Sequence, residues 1–499
     1  MTPTGTPPPS DSGRRWRRNL LGALVLVTGL LFIPEPVPAP PEGAGKPVFA
    51  WNQDAFWAEL EAQLVAARRL DPGALRTRID TALSELSAQL DRLADRPRGP
   101  DDAGFSRLET HLFRLGPLLA VQPARLPEYV ALVTRTRRVV KEQSRAWDLN
   151  ALAARQRVYR LLSGARWALE TLLLQLPASV EYPELILGED VPSATPSTTV
   201  AGVTLHSGDI LVSRGAAPTS SLISRGNDYP GVFSHVALVH IESGTGAVSI
   251  IESLIEHGVV VSTLSDYLGS KKLRLMVLRP RPDLPAVATD PMRPHQAATA
   301  ALTEARQRAI PYDFTMDAHD HGAQFCSEVA SAAYATVGIP LWMGVSYLSS
   351  PTVTAWLAST GVRHFETQEP ADLEYDSQLQ VVAEWRERST LFRAHVDDAV
   401  TDAMIAEATP KTPLPYSFIK LPLARLAKAY SLALNSLGRT GPIPQGLSAS
   451  AALRIERYRS DHDARVERLL TRAETFKRER GYPPPYWELV RLAHDSKPN

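Results

Sequence analysis

Apolar residues at Leu75, Ile79, Leu83, Leu86, Leu90 and Leu93 recur at steps of three and four, a spacing that lines them along one face of a helix. Pro97, Arg98, Gly99 and Pro100 break that pattern. Helical periodicity resumes over residues 105–121, 126–147 and 149–176, so residues 51–180 are predicted to form a helical bundle. A linker rich in Pro, Ser and Thr is expected over 181–199. Beyond it the texture changes to short apolar runs of strand length at residues 209–213, 233–240, 247–252, 259–262 and 273–278. After a Pro-rich connector at 280–294, helices are predicted at 295–309 and 325–337. Strands in succession followed by helices predict an α+β unit over residues 200–365. The remainder, 366–499, is predicted to be helical again, with segments at 379–408, 421–437 and 448–480 separated by proline-rich breaks. The run from Tyr482 through three prolines to Tyr486 and Trp487 is expected to pack on the body as a polyproline segment.

The first fifty residues follow a different rule. Arg14, Arg15, Arg17 and Arg18 precede an uncharged run from Asn19 to Ile33, and prolines follow between Pro34 and Pro41. A basic stretch ahead of an apolar run shorter than the ~20 residues of a membrane span predicts a secretory signal. Val48, Phe49 and Ala50 make a weak cleavage site, so removal of the segment and its retention as an inner-membrane anchor through residues 20–33 both stay open. Either way residues 1–50 form a leader with a Pro-rich linker, and the body is expected to be exported to the periplasm. The chain of 499 residues exceeds one compact core and implies two to four folding units. Lys plus Arg equals Asp plus Glu at 54 each, so global charge gives no case for a nucleic-acid partner, and none is assigned.

One cysteine, Cys326, stands in the whole chain, so an intramolecular disulfide is excluded and the thiol is either inert or reactive. The segment from Phe325 to Tyr334 predicts a helix that opens beside Cys326, where free amide groups and the helix dipole favour a thiolate and can donate to an oxyanion. Of twelve histidines, His235 lies in an alternating strand that puts Phe233, His235, Ala237 and Val239 on one face. A base held on a strand is held rigidly. Glu252 closes the next apolar strand and would lie beside His235 if the two strands pair, with Glu242 and Glu256 as neighbours that a register slip would bring in instead. Taken singly, the three have plain structural readings as a buried thiol, a core histidine and a strand-end carboxylate. Asp317, His319, Asp320 and His321 carry zinc-ligand chemistry, but they sit in a loop, and a soft metal there would capture the thiolate; no metal or cofactor is assigned.

Several of these pieces recur together. Gly208-Asp209-Ile210-Leu211, Ser234-His235-Val236-Ala237-Leu238, Ile251-Glu252-Ser253, Pro311-Tyr312-Asp313-Phe314 and Phe325-Cys326-Ser327-Glu328, in this order, resemble the permuted NlpC/P60 papain-like cysteine hydrolases of the YiiX/YaeF type. The resemblance covers about residues 200–365 and implies a small antiparallel sheet packed on the cysteine-bearing helix. It implies Cys326 as nucleophile, His235 as base and Glu252 as the group orienting the base. Gly208, Asp209, Tyr312 and Asp313 are expected to shape the turn and the cleft wall. The implied activity is hydrolysis of amide bonds, peptide or N-acyl, through a thioester. The family also borders lipid-directed acyl enzymes, so an acyltransferase or esterase using the same triad is the alternative, and a non-catalytic envelope scaffold is a second. The expected substrate is a peptidoglycan peptide or an acylated small molecule or lipid of the envelope.

Overall fold

The computed structural model of the protein describes residues 11–37, 39, 47–51 and 53–496; of the predicted leader, residues 1–10, 38 and 40–46 lie outside the described residues. Helix α1 spans Asp11–Leu31. Among the described residues no helix is long and apolar enough to cross a membrane. Helices α2 (Gln53–Ala67), α3 (Pro72–Ala94), α4 (Ala103–Val121), α5 (Leu126–Ser144) and α6 (Leu152–Gln175) follow. In α3 the apolar stripe from Leu75 to Leu93 is buried to the last residue. Its start is set by Asp71, whose side chain accepts the backbone N–H groups of Gly73 and Ala74, with Pro72 just inside the helix where no N–H is needed. The stripe packs with Phe105, Leu108, Leu112, Tyr129, Val133, Leu162 and Leu169 in one helical core. Each fully buried aliphatic side chain of this kind contributes roughly 1.5–3 kcal/mol.

The central element is an antiparallel sheet of seven strands: β1 (Leu185–Leu187), β2 (Ile210–Gly215), β3 (His235–Ile241), β4 (Val248–Leu254), β5 (Gly258–Thr263), β6 (Lys272–Pro280) and β7 (Leu379–Trp385). Their spatial order is β1-β7-β6-β2-β3-β4-β5. Alternation splits the side chains between two layers. Ile210, Val212, Val236, Leu238, Ile251, Met276 and Leu278 face one layer together with Val329, Ala330, Ala333 and Tyr334 of helix α8 (Cys326–Ala335) and with Ala297, Ala298 and Ala301 of α7 (Arg293–Gln307). Leu211, Ala237, Val239, Ile250 and Val277 face the other, covered by Val203, Leu205 and Tyr267. Helices and an antiparallel sheet make this an α+β protein. The C-terminal helices are α9 (Arg388–Glu407), α10 (Leu421–Ser436), α11 (Ala449–Arg480) and α12 (Tyr486–His494).

The structure corrects three expectations. The segment 379–408 is not one helix: Leu379–Trp385 is strand β7, paired with β6, and the helix starts only at Arg388, capped by the Glu387 carboxylate on the N–H groups of Ser389 and Thr390. Leu379, Val381 and Ala383 are buried at period two, a short alternation masked by the long helix that follows. The expected linker 181–199 carries β1, which pairs with β7, so the sheet reaches past residues 200–365 on both sides. Phe233 does not share a face with His235, because the strand begins at His235 and Phe233 sits in the core with Val236 and Leu238.

A buried charge network joins the bundle to the sheet. Arg166 of α6 donates to Glu374 at 2.6 Å and to Glu170 at 3.2 Å, and pairs with Glu384 of β7. Arg386 meets Glu384 at 2.8 Å, Arg274 of β6 pairs with Glu170, and His395 of α9 meets Glu170 at 2.9 Å. Arg137 of α5 completes it at 3.2 Å from Glu384.

Candidate active site

Cys326 is the first residue of α8, so its thiol sits where that helix leaves amide groups without helical partners. Phe325 precedes it in extended conformation, and Oε2 of Glu328 turns back to accept the Phe325 N–H at 2.8 Å. The approach to the helix is pinned to the sheet: Ser253 Oγ of β4 donates to the Gln324 carbonyl at 2.6 Å, and the Gln324 N–H donates to Pro311 at 3.0 Å. The Cys326 Sγ lies 3.9 Å from the Ser234 carbonyl oxygen, and the residue is only 6 % exposed.

Strands β3 and β4 pair with Ala237 opposite Glu252, which makes His235 and Glu252 diagonal neighbours on one face. His235 Nε2 and Glu252 Oε2 are 2.8 Å apart, and Ser262 of β5 donates to the second carboxylate oxygen at 2.7 Å. Burial works against charge on both. It would raise Glu252, but the hydrogen bonds from His235 and Ser262, and the charges of His235 and Lys272, hold its carboxyl below the ordinary range. It would lower His235, but its hydrogen bonds to Cys326 and Glu252 and the charges of both push the imidazole up to about 9.

The structure therefore brings Cys326, His235 and Glu252 together. Glu242 lies in the β3–β4 hairpin turn, its N–H donating to Ala247, and Glu256 is exposed in the β4–β5 turn. Gly208 and Asp209 form the turn into β2: Gly208 has φ +97°, and Asp209 accepts the His206 N–H and both arms of the Arg279 guanidinium. Asp313 organises its own loop, accepting the N–H groups of Thr315 and Asp317. Tyr312 is half-buried near Cys326, and desolvation first, then the charge of Cys326, holds its hydroxyl well above the ordinary range and therefore neutral. The histidine-rich loop disperses. Asp317 lies 3.7 Å from His364, and His321 meets Glu328 at 3.3 Å. Among the described residues no group of three or more His, Cys, Asp or Glu is placed to hold a metal ion.

Sequence reasoning missed three supports of this arrangement. Ser262 and Ser253 each lie on a strand at the position whose face the register decides, and although Ser253 stands in one of the recurring motifs, only that register gives either of them a role. Glu328 was legible in principle, as the residue three after a helix start. Its carboxyl is pushed up to about 9 by burial above all, against the Phe325 N–H that favours its charge and with Asp313, Asp317 and Cys326 adding to the rise.

A thiol at a helix start beside a histidine and a carboxylate on an antiparallel sheet is an arrangement that suits thiol chemistry. Residues 204–383 match the model of the family described as permuted papain-like amidase enzyme, YaeF/YiiX, C92 family. The match ends within β7, and residues 1–203 and 384–499 lie outside it. No curated protein and no solved structure matches the chain.

Proposed function

We propose that Cys326, His235 and Glu252 are the catalytic triad of a thiol hydrolase that opens amide bonds, peptide or N-acyl, through a thioester. The observation that carries this reading is the 2.8 Å His235–Glu252 contact on an imidazole that also bonds Cys326. Glu252 occupies Nε2 and leaves Nδ1 for the thiol, so one proton of the imidazolium is fixed and the other is free to move. The Cys326 thiolate attacks the carbonyl carbon, and the C–N bond breaks as His235 hands its proton to the leaving nitrogen. Water, deprotonated by the now neutral His235, then attacks the thioester; the acid leaves and the thiolate and imidazolium are restored. The oxyanion is received by amide groups at the start of α8 and by the neutral Tyr312 hydroxyl. In this reading α8 and the β2–β6 strands are the permuted papain-like core, with the histidine ahead of the cysteine in the chain.

The basic and apolar N-terminal segment supports export, and with it an envelope substrate such as a peptidoglycan peptide or an acylated amino acid or lipid. The test is alkylation followed by trapping. Iodoacetamide is expected to modify Cys326 near neutral pH faster than a free model thiol, and His235→Ala to abolish the excess. Incubation with muropeptides and with N-acyl and ester lipids, followed by mass spectrometry, is expected to show an acyl group on Cys326 whose mass names the substrate class. Alkylation no faster than the free thiol, with no acyl adduct from any substrate, would overturn the triad in favour of a scaffold.

A further inference from the structure

Helix α10 is built inside out. Its buried side consists of Leu421, Ala424 and Ser431, whereas Ile419 just ahead of it and Leu423, Leu426, Tyr430 and Leu437 repeat at helical spacing along the outside. These five are 84 %, 70 %, 58 %, 59 % and 74 % exposed. A helix on a soluble body normally turns such side chains inward. The other concentration of exposed apolar residues is α1 and its end, with Trp16, Leu20, Leu21, Leu26, Leu30 and Ile33. With Phe418 and Leu432 added, these two helices and the residues flanking them hold thirteen of the twenty large hydrophobic side chains exposed among the described residues. They also touch: Arg425 of α10 donates to the Leu30 carbonyl at 2.6 Å, and Phe32 meets Phe418 with ring centroids 5.5 Å apart. Charge adds a direction. Between Glu407 and Glu456 the chain has no acidic residue and six basic ones, Lys411, Lys420, Arg425, Lys428, Arg439 and Arg454, and four arginines open α1.

We propose that α10 and α1 together form a docking face for an anionic phospholipid surface. An apolar stripe on a segment with a surplus of cations, whose neighbouring carboxylates Glu35 and Glu456 are each offset by a cation, Arg425 and Lys420, suits a helix lying in the plane of the interface. The face connects to the thiol in few steps. Ala427 on the inner side of α10 packs in one cluster with Phe314, whose ring lies 4.9 Å from that of Tyr312 beside Cys326. Resting on the triad reading, docking presents Cys326 to acyl groups carried by lipids.

The experiment is flotation of the full chain with vesicles of phosphatidylcholine alone and with phosphatidylglycerol added. Flotation is expected with the anionic vesicles and is expected to weaken as salt rises. The combined Leu423→Asp, Leu426→Asp and Tyr430→Asp variant is expected to lower partitioning by at least about tenfold, from the apolar area and charge it changes. Its Cys326 alkylation rate should match the wild type, which checks the fold and separates this proposal from the triad. The milder pair Ile419→Ser and Leu437→Ser, at the two ends of the stripe, should act in the same direction. Flotation of the triple variant equal to wild type, indifference to vesicle charge at low salt, or a dimer of the wild type that the triple variant abolishes without any vesicle binding would each overturn it.

Discussion

Cys326 has a helix start, a histidine and no second cysteine, and the balance of its environment is set by His235. Because burial opposes charge on His235 and its partners outweigh burial, the imidazole carries its proton up to about pH 9. If that proton serves the leaving nitrogen, kcat/KM must fall as pH rises through about 9, since above it the ring has nothing to give. Glu252→Gln keeps the shape but removes the carboxylate that holds the charge. The variant is expected to lose at least about tenfold in kcat/KM and to move the alkaline limb to lower pH. A pH profile of both proteins checks this, and a limb that stays in place would remove Glu252 from the triad. These three residues were given roles in the sequence only by the resemblance of the ordered motifs, since taken singly the lone thiol, the strand histidine and the strand-end carboxylate each have a plain structural reading. Ser262 and Ser253 were not, since what they touch depends on how three strands align.

Strands and helices were legible where periodicity ran long. The α3 stripe was read residue by residue, and β2 to β6 fell within a few positions of the predicted runs. The element lost was β7, seven residues of alternation fused to a twenty-residue helix, whose partner β6 is a hundred positions away in sequence. Within α8, the cap is the part with a measurable consequence. Glu328 is neutral in the folded protein up to about pH 9, while an unfolded glutamate ionises near 4.5. Between these values the folded state binds the extra proton, so this group makes stability fall as pH rises across the window. Glu328→Gln keeps an acceptor for the Phe325 N–H and cannot ionise. Its stability relative to wild type is therefore expected to improve from pH 5 to pH 9 in denaturant titrations. Glu328→Ala leaves that buried N–H unpaired and should cost about 1–3 kcal/mol.

At the scale of the whole molecule, the bundle and the sheet share a wall. Helix α6 contributes Tyr159, Leu162 and Leu169 to the helical core and Trp167 to the core beneath the sheet, and sends Arg166 and Glu170 into the charge network between them. Charges this deep cost several kcal/mol each to desolvate and are tolerated because every one is paired. Removing one arm is therefore expensive. Arg166→Met leaves Glu374 and Glu384 short of a partner in a low-dielectric interior and is expected to destabilise the protein by about 3–5 kcal/mol, whereas Arg125→Ala, on the surface, should leave stability nearly unchanged. The pH dependence has a definite sign. Glu170 is held well below the ordinary value of 4.5: burial opposes its charge, but Arg274, the His395 hydrogen bond and Arg166 outweigh it. Glu384 is lowered likewise, burial being outweighed by Arg166, Arg386 and Arg137. Their stabilisation is present above 4.5 and drains as pH falls below it. The gap between wild type and Arg166→Met should thus be widest near neutrality and narrow in acid. Because the network spans α5, α6, β6, β7 and α9, the loss should appear as one shifted transition in both far-ultraviolet and tryptophan signals, and two separated transitions would mean that bundle and sheet unfold independently.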